Sequence, residues 1–153
     1  MFEHWEEASL AVLKVMEAQS PAKKGSAEYL LACQSRIAEK VRDYRGIPVD
    51  LVTSIGEHAV SHLKHSKMWD IEDMHDLLVS KQHDYGHTNI MMFGNTGIGI
   101  RICDKIARLS TLLDRGAKPQ NESVFDTWCD IVGYSTIAQM LDNNTFTLEL
   151  KGV

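Results

Sequence analysis

Cysteine, proline and aromatic residues are all scarce in this chain of 153 residues. It contains three cysteines and three prolines, and 7% of its residues are aromatic. Cys33, Cys103 and Cys129 form no C-x-x-C pair, which excludes a zinc framework and predicts free thiols in a reducing cytosol. The prolines lie beside breaks in an otherwise helical hydrophobic pattern, so we expect helices separated by short connections.

Positive charge and long apolar runs are lacking as well. The chain has 16 Lys and Arg residues against 21 Asp and Glu, a net charge of −5. Because DNA-binding proteins neutralise phosphates with an excess of Lys and Arg, we expect no nucleic-acid partner. No apolar run approaches the roughly 20 residues of a membrane span. The acidic residues 1–7 do not resemble a signal peptide, so we expect a cytoplasmic protein that does not bind membranes.

Helical periodicity dominates the chain and predicts an all-α fold, a helical bundle of about six helices. The predicted helices span residues 3–19, 26–44, 49–64, 70–82, 98–115 and 122–141, with Ser26, Asp70 and Asn121 as N-caps. Residues 83–97 are predicted to be irregular. The alternating segment Thr145–Leu150 predicts a short C-terminal strand.

An acidic stripe lies on the sixth predicted helix. Glu122, Asp126 and Asp130 are spaced by four residues and occupy an arc of about 80°. Like charges at this spacing repel each other. The same sector becomes apolar at Ile137 and Met140, so we favour an acidic stripe that meets a partner over a solvated acidic face.

The fifth predicted helix offers that partner, because Arg101, Asp104, Lys105 and Arg108 share one of its sectors. A short link makes the two helices an antiparallel hairpin. In a structural interpretation, the three basic residues form interhelical salt bridges with the acidic stripe. In a functional interpretation, Asp104 joins the three acids to bind Mg²⁺, and the basic residues hold phosphate oxygens. Charge counting alone leaves both open.

Glycines and histidines add two weaker signals. The glycines of residues 86–99 could let backbone N–H groups approach an anion at the start of the fifth helix, although they also suit simple turns. His58, His62 and His65 share one helix face, but the H-E-x-x-H zinc motif is absent. We therefore expect a partly buried or surface histidine face rather than a metal site.

Three ordered motifs within residues 73–141 resemble the phage-enriched "nucleotide modification associated" domain family. They are Lys81-x-x-Asp84-Tyr85-Gly86, Arg101-x-x-Asp104-Lys105-x-x-Arg108-Leu109 and Glu122-Ser123-x-x-Asp126-x-x-x-Asp130-x-x-x-Tyr134. More distantly, the fifth and sixth helices are similar to the catalytic hairpin of MazG-like all-α NTP pyrophosphohydrolases. Those enzymes cleave NTPs or dNTPs to a monophosphate and pyrophosphate, with Mg²⁺ held by helix carboxylates.

The resemblance implies a (d)NTP diphosphohydrolase of phage nucleotide metabolism in the host-cell cytoplasm, using Mg²⁺ or Mn²⁺. Because helical hairpins with one apolar face left over often pair across a two-fold axis, we also expect a homo-oligomer, a dimer or tetramer. The implied catalytic residues are Glu122 and Asp126, and the implied metal ligands are Asp104, Glu122, Asp126 and Asp130. The implied substrate-binding residues are Lys81, Asp84, Tyr85, Arg101, Lys105 and Arg108.

We then expect residues 70–142 to form the nucleotide-binding core, residues 1–69 an accessory or oligomerisation region, and residues 143–153 a tail. The alternative is a non-catalytic nucleotide-binding or protein-interaction module, a phage structural or host-takeover factor, in which the charged helix faces form structural ion pairs.

Overall fold

The computed structural model describes residues 1–115 and 123–152. Within them lie six long helices and one short helix. They are α1 (Trp5–Gln19), α2 (Ala27–Arg42), α3 (Val49–His65), α4 (Ile71–Tyr85), α5 (Thr88–Met91), α6 (Gly94–Arg115) and α7 (Val124–Asp142). The predicted all-α class is confirmed, and α6 and α7 correspond to the fifth and sixth predicted helices. None of the described helices has the length and apolar content needed to cross a bilayer.

Side-chain caps fix the starts of three helices. The side-chain oxygens of Ser26, Asp70 and Ser123 each accept a hydrogen bond from the backbone N–H three residues later, at the starts of α2, α4 and α7. The predicted caps Ser26 and Asp70 are confirmed. The predicted cap Asn121 lies outside the described residues, and within them Ser123 caps α7.

The centre of the bundle is the contact between α3 and α7, which depends on Gly56. A Cβ at Gly56 would lie 2.1 Å from the Oγ of Ser135 and 3.1 Å from the Sδ of Met16. The Ser135 hydroxyl donates to the carbonyl of Val52 at 2.9 Å, which satisfies it inside the core. Helices from both sides of the predicted boundary at residue 69 therefore pack together, and the division into regions stays a prediction.

The predicted C-terminal strand is wrong, since the described residues contain no strand. A strand needs a partner, and the tail meets the start of α1 instead, where the N–H of Trp5 donates to the carbonyl of Glu149 at 2.9 Å. The alternating pattern reflects burial: Phe146 packs edge-on against Trp5, and Leu148 and Leu150 are half-buried.

The glycine-bearing segment is more regular than predicted. The helix α4 continues to Tyr85 and ends at Gly86, whose φ of +66° suits glycine, and α6 already begins at Gly94. Gly99 therefore lies inside a helix, where a Cβ would come 2.2 Å from the Cδ1 of Ile47. This glycine allows α6 to pack closely, rather than exposing its backbone in a loop to an anion.

Two histidines of α3 hold the connection between α1 and α2. The N–H of Gly25 donates to the Nδ1 of His62, and the N–H of Ser26 donates to the Nε2 of His58, both at 2.9 Å. His62 also stacks on Trp128, with ring centroids 4.2 Å apart. The predicted partly buried histidine face is confirmed for these two residues. A ring nitrogen that accepts a backbone hydrogen bond carries no proton, so this arrangement requires neutral histidines.

Stability should therefore fall at acidic pH. Burial is the main cause that lowers the pKa of both rings, followed by His62 and Lys23 near His58, and by His65 and Lys24 near His62. In the unfolded chain the histidine pKa returns to about 6.5. Stability from these rings is thus fully present above that pH and is lost as the pH falls through the lower folded values.

Urea unfolding at pH 7.5 and pH 5.5 would measure this loss. The variant His58→Gln/His62→Asn keeps a side-chain acceptor at both sites but cannot titrate, so we expect a smaller loss of stability between the two pH values. His83→Gln, at an exposed residue of α4, is the control and should behave like the wild type. An unchanged pH dependence in the double variant would contradict this account.

Candidate functional site

A cavity of about 390 Å³ lies between α4 and α7, with further walls from α1, α5 and α6. Its volume is within the usual range of small-molecule sites. The apolar part of its lining comes from Trp5, Met74, Leu77, Leu78, Ile90, Cys129, Gly133 and Ile137. The polar part comes from Lys81, Gln82, Tyr85, Asn89, Arg101, Asp130 and Tyr134. The cavity can therefore hold a molecule that is partly apolar and partly charged.

The side chains that line the cavity change from apolar to charged in opposite directions along the two main walls, α4 and α7. On α4 the lining changes from apolar Met74 to charged Lys81, whereas on α7 it changes from charged Asp130 to apolar Ile137. Lys81 meets Asp130, and a Cβ on Gly133 would touch Leu78 at 3.1 Å. The helices thus run antiparallel here, and the cavity has one charged end and one apolar end.

Asp130 connects three helices at the charged end. Its Oδ1 accepts a hydrogen bond from the Nζ of Lys81 on α4 at 2.9 Å, and its Oδ2 accepts one from the Nζ of Lys105 on α6 at 2.8 Å. The Asp130 side chain is only 11% exposed, whereas that of Lys81 is 49% exposed. Asp130 therefore holds the ammonium group of Lys81 at the rim of the cavity, within reach of solvent.

Arg101 brings a second cation to the cavity. It is half-buried and also lines a smaller cavity of about 300 Å³ at the start of α6. No carboxylate within residues 1–115 and 123–152 forms a salt bridge with it. The planar set of donors of a guanidinium matches phosphate and carboxylate oxygens. Arg101 is thus placed to bind an anion in the cavity.

The structure gathers some of the residues predicted for the site and separates others. Residues at the cavity are Lys81, Tyr85, Arg101 and Asp130, with Lys105 bonded to Asp130. The exposed carboxylate of Asp84 lies beside His83, and Arg108 donates to the Oγ1 of Thr127. Asp104 and Asp126 are exposed and do not line the cavity, and Glu122 lies outside the described residues. Of the predicted interhelical salt bridges, Lys105–Asp130 is present.

The predicted magnesium shell is not assembled in the part of the chain that the structure describes. There, no group of three or more His, Cys, Asp or Glu side chains could hold a metal ion. Both oxygens of Asp130 face ammonium groups, which suits an anion nearby better than a third cation. These described donors do not fit a Mg²⁺ or Mn²⁺ shell. A site completed by Glu122 stays a prediction.

Two polar residues at the cavity were not singled out by the sequence. Trp5 is fully buried and its Nε1–H has no hydrogen-bond partner, and the buried Oδ1 of Asn89 has none either, among the described residues. Trp5 is about seventy positions from α4 in the chain, and Asn89 fell in a stretch predicted to be irregular. No local pattern could place these two side chains in one cavity.

The cysteines are free thiols, as predicted. Cys129 lines the cavity, but burial, together with the charges of Asp126 and Asp130, raises the pKa of its thiol to about 12. Burial likewise raises the pKa of Cys103 to about 11. Because the thiolate is the reactive form, neither sulfur is activated as a nucleophile at neutral pH.

The arrangement can hold an anion at one end and a flat or apolar group at the other. Lys81 and Arg101 supply the positive charge, and the facing surfaces of α4 and α7 supply the apolar walls. No protein-family model, curated protein or solved structure matches this chain.

Proposed function

We propose that this protein binds a nucleotide in the cavity between α4 and α7. The main support is the position of Arg101, which lines this cavity of about 390 Å³. Its guanidinium is half-buried, and no carboxylate among the described residues pairs with it. A phosphate group would give Arg101 the bidentate partner that it lacks. Lys81, at the rim, would contact the same phosphates.

The apolar walls favour a nucleotide over a small inorganic anion. An inorganic phosphate would leave the surfaces of Met74, Leu78 and Ile137 without contacts, because these walls can only be filled by an apolar or aromatic group. A nucleobase or sugar supplies that group and carries the phosphate with it. The resemblance to nucleotide-metabolism proteins points to the same class of ligand.

The pyrophosphohydrolase reaction is a separate and further proposal, which rests on the resemblance. It requires Glu122 and Asp126 to activate water near the bound phosphates. Asp126 is exposed in the first turn of α7, and Asp130 is bonded to two lysines. The cavity itself supports binding of the nucleotide, and not its hydrolysis.

Asp130 affects phosphate binding in two opposite ways. By accepting hydrogen bonds from Lys81 and Lys105, its carboxylate fixes two long side chains that would otherwise have to be ordered when the ligand arrives. The same negative charge repels a phosphate. Asparagine keeps one side-chain oxygen that can accept from a lysine, so the loss of the repelling charge should dominate. Asp130→Asn should therefore strengthen phosphate binding severalfold, by about 1 kcal/mol at a partly solvated site.

Calorimetric titration with a panel of NTPs, dNTPs and their monophosphates, with and without Mg²⁺, tests the proposal. Pyrophosphate release in the same samples tests the reaction. We expect binding without metal, strengthened by Asp130→Asn and unchanged by Asp142→Asn at the exposed end of α7. Binding that requires Mg²⁺ and disappears in Asp130→Asn would instead identify Asp130 as a metal ligand, and silence across the panel would refute nucleotide binding.

A further inference from the structure

Two buried polar atoms at the cavity lack hydrogen-bond partners among the described residues: the Nε1–H of Trp5 and the Oδ1 of Asn89. Trp5 is 0% exposed, so water from the bulk surface does not reach its indole N–H. Buried polar atoms in native proteins are almost always paired. One unpaired donor and one unpaired acceptor on residues that line the same cavity therefore indicate a ligand that offers one acceptor and one donor.

The backbone next to Trp5 lies near the apolar end of the cavity, whereas Asn89 also lines the smaller cavity together with Arg101. The carbonyl of Glu6, the next residue, lies 3.0 Å from the Nε2 of His75, which is adjacent to Met74 on α4. Lys81 lies six residues beyond His75, about 9 Å along the helix axis. The α4 wall of the cavity, from Met74 to Lys81, is thus about as long as a mononucleotide.

We infer that Trp5 and Asn89 recognise the base of the bound nucleotide. This inference rests on the proposed function. The Nε1–H of Trp5 donates to a ring nitrogen or carbonyl of the base, and the Oδ1 of Asn89 accepts from a ring N–H or an exocyclic amino group. Every nucleobase carries such an acceptor next to a donor on its pairing edge. The phosphates then lie toward Lys81 and Arg101. Trp5 and Asn89 are thus base-recognition residues, which touch the base but not the phosphates and distinguish a nucleotide from a sugar phosphate.

Binding of two probes separates recognition of the base from recognition of the phosphate. Calorimetry would compare the four deoxyribonucleoside monophosphates with deoxyribose 5-phosphate, which has the phosphate and sugar but no base. The variants are Trp5→Phe, which removes the indole N–H, and Asn89→Ala. For the best-bound monophosphate we expect each variant to raise Kd about tenfold, because each leaves a buried group of the base unpaired. The Kd for deoxyribose 5-phosphate should change less than about twofold.

Matched controls come from residues of the same types outside the cavity. Trp69 donates its Nε1–H to Glu17 at 2.6 Å, so Trp69→Phe tests the loss of an indole elsewhere. Asn95, on α6, also has a buried Oδ1 without a partner in the described residues but does not line the cavity. Asn95→Ala therefore tests whether an unpaired amide alone matters. Both controls should leave nucleotide Kd unchanged.

The outcomes distinguish this inference from the proposed function. If the wild type binds a monophosphate and neither Trp5→Phe nor Asn89→Ala weakens it, or if both weaken deoxyribose 5-phosphate equally, base recognition by these residues is refuted while nucleotide binding stands. If the wild type binds no nucleotide, both fail together. Trp5 is a core residue, so if Trp5→Phe does not fold, the half-buried Asn89 decides the test.

Discussion

Replacing Arg101 by glutamine is expected to weaken nucleotide binding about 10- to 100-fold. A hydrogen-bonded contact between a guanidinium and a phosphate contributes roughly 1.5–3 kcal/mol, and each 1.4 kcal/mol is a factor of about ten in Kd. Glutamine keeps much of the side chain's length and polarity but removes the charge and the bidentate geometry. Calorimetric titration of the wild type and the variant with the same nucleotide measures the difference.

The stability of the Arg101→Gln variant separates a binding role from a structural one. Arg101 has no salt bridge with the described residues, so the melting temperature should change little. Arg42→Gln, at an exposed position in the last turn of α2, is the matched control and should alter neither property. A large fall in melting temperature with unaltered affinity would show that Arg101 supports the fold instead.

Replacing Gly56 by alanine is expected to lower the free energy of unfolding by about 2–3 kcal/mol, the upper part of the range for overpacked cores. The new methyl group would lie 2.1 Å from the Oγ of Ser135, so α3 and α7 would have to move apart. Separating them would also disturb the hydrogen bond from Ser135 to the carbonyl of Val52. Urea denaturation followed by circular dichroism measures the loss.

Gly46→Ala is the control for this substitution, because a Cβ at Gly46 would meet no atom within 4 Å. That variant should be as stable as the wild type or slightly more so, since alanine restricts the unfolded chain. Equal stability of Gly56→Ala and the wild type would mean that the helices are not as closely packed as described.

The helices were predictable because their signals are local. The stripe of Leu30, Cys33 and Ile37 on α2 repeats at helical spacing and is buried, and the caps Ser26 and Asp70 act within their own first turns. The interhelical contact between Lys105 and Asp130 also followed from the facing sectors of two neighbouring helices.

The remaining parts of the site depend on contacts between residues distant in the chain. Lys81 reaches Asp130 across 49 positions, and Trp5 lines the same cavity from the first helix. The tail was predicted to be a strand because its apolar residues Phe146, Leu148 and Leu150 occupy alternate positions. An irregular segment that buries every second side chain has the same pattern. Only the three-dimensional arrangement shows that they cover the start of α1 rather than join a sheet.

A ¹H–¹⁵N NMR titration that follows the tryptophan indole N–H signals would test whether the nucleotide binds in the cavity between α4 and α7. The chain has three tryptophans, of which Trp5 lines the cavity, while Trp69 is bonded to Glu17 and Trp128 stacks on His62. On addition of a nucleotide, the indole signal of Trp5 should shift and saturate, while those of Trp69 and Trp128 stay in place. Saturable shifts at Trp69 or Trp128 without one at Trp5, or no shift at any of the three, would contradict the account.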